Sequence, residues 1–98
     1  MIPKILYWLI AGSRGGENRL RILLVLEERP LNAKQIADEL GVDYKTVQHH
    51  SGVLAKHGLI DTLGGGYGKA YTLSAEMEAN VNELSKIVRT KKRFQKTG

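Results

Sequence analysis

The sequence predicts a mainly α-helical domain with one small β-hairpin, and three stretches of the chain indicate this fold class. Residues 32–57 hold two helical patterns separated by Gly41, a residue type that readily takes the left-handed conformation of a tight turn. Two short runs rich in Ile, Leu, Tyr and Thr follow, and the glycine-rich loop 64–68 joins them as a hairpin. Helical segments flank this unit on both sides. The order is that of a winged helix-turn-helix, an α+β arrangement.

Length and composition limit what the chain can be. Its 98 residues fit a single domain, 1–98, with one modest core. The absence of cysteine excludes disulfides and cysteine metal sites, and it suits a reducing compartment, so we expect a cytoplasmic protein. The longest apolar run, residues 5–11, is far shorter than the roughly 20 residues that span a bilayer. We therefore expect no membrane association.

Positive charge is unevenly distributed along the chain. Residues 1–84 contain nine Lys and Arg against ten Asp and Glu, a net charge of −1. Residues 85–98 contain six basic residues and no acidic one, a net charge of +6. A nucleic-acid partner is compatible with this balance, but the overall charge does not locate the contact surface.

The N-terminal segment 2–11 is predicted to form a helix, because Pro3 suits a first helical turn. Almost all of its residues are apolar, so this helix would be buried on more than one side. A domain this small cannot easily cover such a helix, so a partner subunit is the favoured cover. The alternative is a first core helix of the monomer. The predicted interface residues here are Ile5, Leu6, Trp8 and Leu9. Residues 12–16 form a loop, and a helix over 17–29 ends at Pro30.

The helix-turn-helix begins at Asn32, a good N-cap with Gln35 three residues later as its capping-box partner. Gly41 ends the first helix. Asp43 is predicted to cap the second, recognition helix over 44–57, which stops at Gly58.

Strands are predicted over 59–63 and 70–73, as the wing 59–73, and Ser74 is predicted to cap a last helix over 75–93. Apolar residues recur along that helix at spacings of four, three and four, a seam suited to pairing with a second copy of the chain. The predicted interface residues are Met77, Val81, Leu84 and Val88. The basic residues that follow serve either solubility or phosphate attraction, and the sequence favours neither.

A helical wheel divides the recognition helix into two faces. Val47, His50, Ser51 and Leu54 point to the core, and the Ser51 hydroxyl is expected to bond back to the Val47 carbonyl. The opposite face holds Lys, Gln and His side chains and no acid. Gln bonds bidentately to adenine, and Lys bonds guanine or phosphate. The alternative is an ordinary solvated face. The predicted DNA contacts are Lys34, Tyr44, Lys45, Thr46, Gln48, His49, Gly52, Lys56, Tyr67 and Lys69.

Four segments carry a resemblance to a known family: GGENRLRIL at 15–23, LNAKQIADELGVDYKTVQHH at 31–50, VLAKHGLI at 53–60 and GGGYGKAY at 64–71. In these segments the chain resembles the ArsR-like winged-helix transcriptional regulators, specifically their short archaeal members. The resemblance implies a homodimer on a pseudo-palindromic double-stranded operator, with the first and last helices at the interface. It also implies that Tyr67 and Lys69 of the wing reach the flanking backbone or minor groove.

The chain departs from this family where metal sensors place their ligands. It has no cysteine, and its last helix has no histidine. In the recognition helix, Ser51 stands where the family usually has leucine after the histidine, and Gly52 follows it. We expect no metal, no cofactor and no catalysis, and we expect His50 to be a buried, hydrogen-bonded residue. Two other functions remain open: a protein–protein interaction module, and a non-specific chromatin-associated DNA-binding protein that uses the basic tail.

Overall fold

The computed structural model describes the backbone of residues 2–97 and the side chains of residues 2–66 and 68–90. Within this part of the chain no helix is both long and apolar enough to cross a membrane. The predicted order of helices and hairpin is confirmed. The elements are α1 (Ile2–Ile10), α2 (Gly16–Glu28), α3 (Ala33–Leu40), α4 (Tyr44–Lys56), β1 (Ile60–Leu63), β2 (Ala70–Leu73), α5 (Ala75–Glu78) and α6 (Asn82–Thr97), with a short 3₁₀ turn at Gly66–Gly68.

The capping box predicted for α3 is present. The Asn32 side chain accepts the Gln35 N–H at 2.7 Å, and the Gln35 side chain accepts the Asn32 N–H at 2.8 Å. Gly41 closes α3 with φ at +67°, and its N–H donates to the Ala37 carbonyl. Asp43 stands at the N-cap of α4, but its side chain makes no capping hydrogen bond, which corrects that prediction. The turn is therefore fixed by Gly41 and by backbone hydrogen bonds to the Ala37 carbonyl, which also accepts the Val42 N–H at 3.1 Å.

The core is one cluster to which every α-helix and the hairpin contribute, and the inner face of α4 packs into it. Val47, His50, Ser51 and Leu54, which the wheel assigned to that face, are all buried. Fully burying one Leu, Ile or Val side chain contributes about 1.5–3 kcal/mol, so this inner face fixes which side of α4 remains exposed. The largest fully buried side chains are Leu6, Leu9, Ile22, Leu23, Ile36, Leu54, Leu59, Ile60, Met77, Leu84, Ile87 and Val47.

The wing is an antiparallel pair in which Ile60 opposes Leu73 and Leu63 opposes Ala70. A bridge that the sequence did not indicate adds Leu31 to the edge of β2. The Leu31 N–H donates to the Tyr71 carbonyl at 3.1 Å, and the Tyr71 N–H donates to the Leu31 carbonyl at 2.8 Å. The segment that leads into α3 is thereby attached to the wing.

Ser74 joins the wing to the C-terminal helices, and its predicted role as a cap is confirmed. Its hydroxyl accepts the Met77 N–H at 3.0 Å and donates to the Gly58 carbonyl at 2.8 Å. Its own N–H donates to the Leu59 carbonyl at 3.1 Å. One side chain therefore fixes the start of α5 to the end of the helix-turn-helix.

The prediction of one continuous helix over 75–93 is wrong. The helix breaks between Glu78 and Asn82, where the Asn80 and Val81 N–H groups donate to carbonyls three residues back. The Asn80 side chain donates to the Glu76 carbonyl at 2.8 Å, so it competes for backbone groups as asparagine often does. Of the basic residues predicted to follow the apolar seam, Arg89 is exposed on α6, and the side chains of Lys91, Lys92, Arg93 and Lys96 lie outside the described part.

Burial also corrects half of the predicted interface. Leu6, Leu9, Met77 and Leu84 are each at most 1% exposed in the single chain, so they pack in its own core. A partner subunit would find no surface on them. The predicted residues that keep some surface are Ile5, Val81 and Val88, which are partly buried, and Trp8, which is 60% exposed.

Candidate nucleic-acid interface

The outer face of α4 is exposed, as the wheel predicted. Tyr44 is 48% exposed, and Thr46, between the two faces, is half-buried. The exposed side chains on this face carry positive charge, an amide and an imidazole, which are groups that bond phosphates and base edges. The remaining predicted contacts on the helix are Lys45, Gln48, His49, Gly52 and Lys56, all exposed.

A groove of about 610 Å³ opens between the start of α3, the first turns of α4 and the wing. It brings together four of the predicted DNA contacts: Lys34 from α3, Tyr44 and Gln48 from α4, and Lys69 from the wing. The groove is completed by Asn32, Ala33, Gly66 and Tyr71, which the sequence did not indicate. Two cations, one from α3 and one from the wing, thus line the same groove as a phenol and an amide that project from one helix.

Contacts within the groove orient two of these side chains. The Gln48 amide nitrogen donates to the Tyr44 hydroxyl at 3.3 Å, which leaves its second N–H and its carbonyl oxygen available. Those two groups are the pair that adenine requires in the major groove. The Lys69 ammonium lies 5.4 Å from the centre of the Tyr71 ring, a cation–π contact that holds it at the base of the wing.

The other predicted contacts lie outside this groove. Lys45, His49 and Lys56 are exposed elsewhere on α4 and are not brought against the wing. At Gly52 a Cβ would meet nothing within 4 Å, so the glycine is not required by packing inside the chain. The side chain of Tyr67, at the tip of the wing, lies outside the described residues.

A buried arginine lies behind the recognition helix. Arg19 of α2 is only 5% exposed, and its Nη1 donates to His50 Nδ1 at 3.1 Å. Its Nε donates to the Leu9 carbonyl at 2.9 Å, and its Nη2 donates to the Ser13 hydroxyl and the Arg14 carbonyl, both at 2.6 Å. His50 is thus buried and hydrogen-bonded, as predicted, but its partner was not foreseen.

The partner determines the tautomer of His50. Because arginine only donates, Nδ1 of His50 must be the acceptor, and the neutral ring carries its proton on Nε2. Burial lowers the pKa of His50, and the charge of Arg19 and the neighbouring His49 lower it further. A second proton on the ring would point directly at the guanidinium.

Acidification is therefore expected to weaken the fold through His50. The unfolded chain takes up a proton near pH 6.5, before the folded chain does, since the folded pKa is lower. The stabilisation is complete above pH 6.5 and is lost as the pH falls from there towards the folded-state pKa. The slope is at most about 1.4 kcal/mol per pH unit. Urea unfolding of the wild type and of His50→Phe between about pH 7.5 and pH 5 measures it, and parallel pH profiles for the two proteins would contradict the assignment.

Two glycines at the start of α2, its N-cap Gly15 and its first residue Gly16, allow this close packing. Gly15 has φ at +78°, and a Cβ there would lie 2.4 Å from Cε1 of His50. A Cβ on Gly16 would lie 1.8 Å from the carbonyl oxygen of Ile10. The sequence marked 12–16 as a loop from its glycine content, whereas the structure shows that two of these glycines are needed for contact.

Ser51 differs from its prediction. Its hydroxyl is fully buried, and among the described residues no atom accepts or donates a hydrogen bond to it. The expected bond to the Val47 carbonyl is absent. The side chain packs as a small group beneath the helix, and it leaves a polar atom without a partner at a cost of about 1–3 kcal/mol.

A helical wheel of α2 could have predicted that Arg19 is buried. Arg19 lies on the same side of that helix as Ile22, Leu23 and Leu26, which are all buried. A charged residue in the middle of an apolar stripe indicates either a break in the pattern or a buried hydrogen-bonding centre.

The described residues contain no candidate metal site, since no three His, Cys, Asp or Glu side chains among them are grouped so that they could hold an ion.

Comparison with known sequences identifies the central part of the chain. Residues 16–62 match the family model described as bacterial regulatory protein, arsR family. That range runs from the start of α2 through the helix-turn-helix into β1. No protein of curated function gives a significant sequence match.

Solved structures share the fold at low sequence identity. HlyU from Vibrio cholerae N16961 is 24% identical, with a TM-score of 0.67 over 86% of this chain and 92% of that one. A probable transcriptional regulator from Pseudomonas aeruginosa is 20% identical, with a TM-score of 0.73 over 93% and 72%. The homodimeric winged helix-turn-helix DNA-binding domain Mb0332 from Mycobacterium bovis, a possible ArsR-family transcriptional regulator, is 21% identical, with a TM-score of 0.67 over 89% and 81%.

Proposed function

We propose, from the premise that this chain is an ArsR-like winged helix-turn-helix protein, that it is a homodimeric transcriptional regulator. It binds double-stranded DNA in a sequence-specific way. The observation that carries the proposal is the groove that Lys34 and Lys69 line together with Tyr44 and Gln48. This geometry suits a helix that enters the major groove while cations on either side meet phosphates.

Each element has a distinct role in this proposal. α4 enters the major groove, where Gln48 reads adenine and Lys45, His49 and Lys56 meet base edges or phosphates. Tyr44 and Thr46 bond the backbone near the start of the helix. The absence of a side chain at Gly52 allows close approach. Tyr67 and Lys69 of the wing contact the flanking backbone, and Lys34 does so from α3.

The dimer is proposed to form through the outer surface of α1. Trp8 is the most exposed large apolar side chain described, and with Lys4, Ile5 and His57 it lines an apolar hollow of about 330 Å³. The solved Mb0332 domain, which shares this fold, is homodimeric. Val81 and Val88 extend the proposed interface at the C-terminal helices.

Two finer assignments are also proposals. The short archaeal type rests on the sequence resemblance, and a cytoplasmic location rests on the DNA partner and the absence of cysteine. DNA and a second copy of the chain are the proposed partners, with no metal or cofactor required for either.

Selection of bound duplexes from a random DNA pool at physiological salt tests the proposal. We expect enrichment of an inverted repeat with half-sites about one helical turn apart. Binding without sequence enrichment would favour a non-specific chromatin-associated role. A folded protein that binds no duplex would overturn the proposal in favour of a protein–protein interaction module.

Gln48→Ala is expected to remove base preference at one position of each half-site. A lost bidentate contact costs about 1–3 kcal/mol, and a dimer makes that contact twice. Affinity for the selected operator should therefore fall at least about 30-fold. Replacing the contacted A·T pair should no longer change the affinity of the variant. Fluorescence anisotropy with the two operators and the two proteins measures this.

Ser85→Ala, at an exposed position on α6, serves as the control and should keep wild-type affinity. If Gln48→Ala retained the full A·T preference, the assignment of α4 as the reading helix would be wrong.

A further inference from the structure

The Arg19 guanidinium joins two surfaces that the proposed function treats separately. α1 carries the exposed Trp8, and α4 carries Gln48 and Tyr44. Both helices pack against α2, and Arg19 projects from α2 into the space behind α4. The hydrogen bonds of this one side chain reach the end of α1, the loop that follows it and the middle of α4.

These hydrogen bonds use most of the N–H donors of the Arg19 guanidinium. Four of the five N–H donors are engaged, by Leu9, Ser13, Arg14 and His50. Ser13 also donates to the Leu9 carbonyl at 3.1 Å, so the last turn of α1 is held twice. A buried cation is costly unless it is fully hydrogen-bonded, and the planar fork permits few arrangements that satisfy these partners together.

The backbone around the cluster leaves little room for adjustment. At Gly15 a Cβ would lie 3.1 Å from Arg19 Nη1, in addition to its clash with His50. At Gly16 a Cβ would overlap the Ile10 carbonyl. Because the loop, the end of α1 and the His50 ring are in contact, a displacement of α1 must be transmitted to α4.

In a dimer held through α1, the position of α4 relative to α1 determines how far apart the two recognition helices lie. One added base pair rotates a half-site by about 35° and moves it by about 3.4 Å along the axis. We infer that Arg19 is a positioning residue that fixes α4 against α1 and thereby sets the half-site spacing that the dimer accepts. This inference rests on the proposed dimeric DNA-binding function.

Competition binding to a set of inverted repeats tests the inference. The half-sites are those selected by the wild type, and the spacers differ in steps of one base pair. The wild type should bind one spacing much more tightly than its neighbours. Arg19→Lys keeps the charge but loses the fork, and the loss of charge-assisted buried bonds should reduce the preference for that spacing about tenfold. Affinity for an isolated half-site should stay within about threefold of the wild type.

A matched control removes a similar bond elsewhere. Arg21, on the same helix, donates from Nη2 to the Leu40 carbonyl at 2.7 Å, and this bond joins α2 to the end of α3 without reaching α1. Arg21→Lys should therefore keep the wild-type spacing preference. If Arg19→Lys does not fold, as judged by circular dichroism, His50→Phe provides the test, since it retains an aromatic ring and removes the Nδ1 acceptor together with the Nε2 proton.

The outcomes separate the two proposals. A wild type that selects no inverted repeat overturns the proposed function and this inference with it. Alternatively, the wild type selects one spacing while the folded variant loses affinity equally for repeats of every spacing, or keeps the wild-type spacing profile. In either case Arg19 has only a structural role and the inference alone fails. Broadened spacing with an unchanged half-site sequence supports it.

Discussion

Replacing Gly16 by alanine is expected to prevent stable folding. The added Cβ would lie 1.8 Å from the Ile10 carbonyl oxygen and 2.6 Å from its carbon, and both are backbone atoms that cannot rotate away. The chain must separate α1 from α2, which breaks the Arg19 bond to the Leu9 carbonyl. We expect a loss of at least about 4–5 kcal/mol, a large part of the 5–15 kcal/mol that stabilises a typical domain.

Urea unfolding followed by circular dichroism measures this loss. Gly52→Ala is the matched control, because a Cβ there meets nothing within 4 Å and the residue lies in the middle of α4. That variant should gain about 1 kcal/mol from the better helix propensity of alanine. Equal stability of the wild type and Gly16→Ala would show that α1 does not pack on α2 as described.

Trp8→Lys is expected to dissociate the proposed dimer. Trp8 is 60% exposed in the single chain, so the substitution leaves the core intact and places a charge in the apolar hollow beside Ile5. Buried tryptophans at the centre of interfaces are typical binding hot spots, with losses of 2 kcal/mol or more. The dissociation constant of the dimer should rise about 30-fold or more, as measured by sedimentation equilibrium, and operator affinity should fall because a monomer holds one half-site.

Leu63→Lys makes the same kind of change at another exposed apolar side chain. Leu63 is 48% exposed at the end of β1 and does not line the hollow beside Trp8, so this variant should remain dimeric. A Trp8→Lys protein that dimerises as tightly as the wild type would exclude α1 as the interface and would shift attention to α6.

The helix-turn-helix could be predicted because its determinants are local. Asn32 and Gln35 form their capping box within one turn, and Gly41 ends α3 through its own backbone conformation. Helical periodicity then divides α4 correctly into a buried and an exposed face. The groove required one further step, because the wing must fold back towards Tyr44 and Gln48 before Lys69 can join them.

The features that were missed depend on contacts between distant segments. A wheel of α2 places Arg19 on the apolar side, but its partners Leu9 and His50 come from other elements, and only the fold identifies them. Leu31 is a single residue with no strand pattern of its own, so only its partner Tyr71 makes it part of the sheet. The break before Asn82 reflects weak helix formers whose competing hydrogen bonds outweigh an apolar seam that the sequence shows as continuous.

The Leu31–Tyr71 bridge has a thermodynamic consequence for DNA association. A two-stranded hairpin alone is marginally stable in water and would lose much conformational entropy when it settles against a phosphate backbone. Here the bridge attaches the hairpin to the segment that begins α3, so this ordering accompanies folding and precedes any encounter with DNA. The wing is thus preorganised, and more of its contact free energy remains available as affinity.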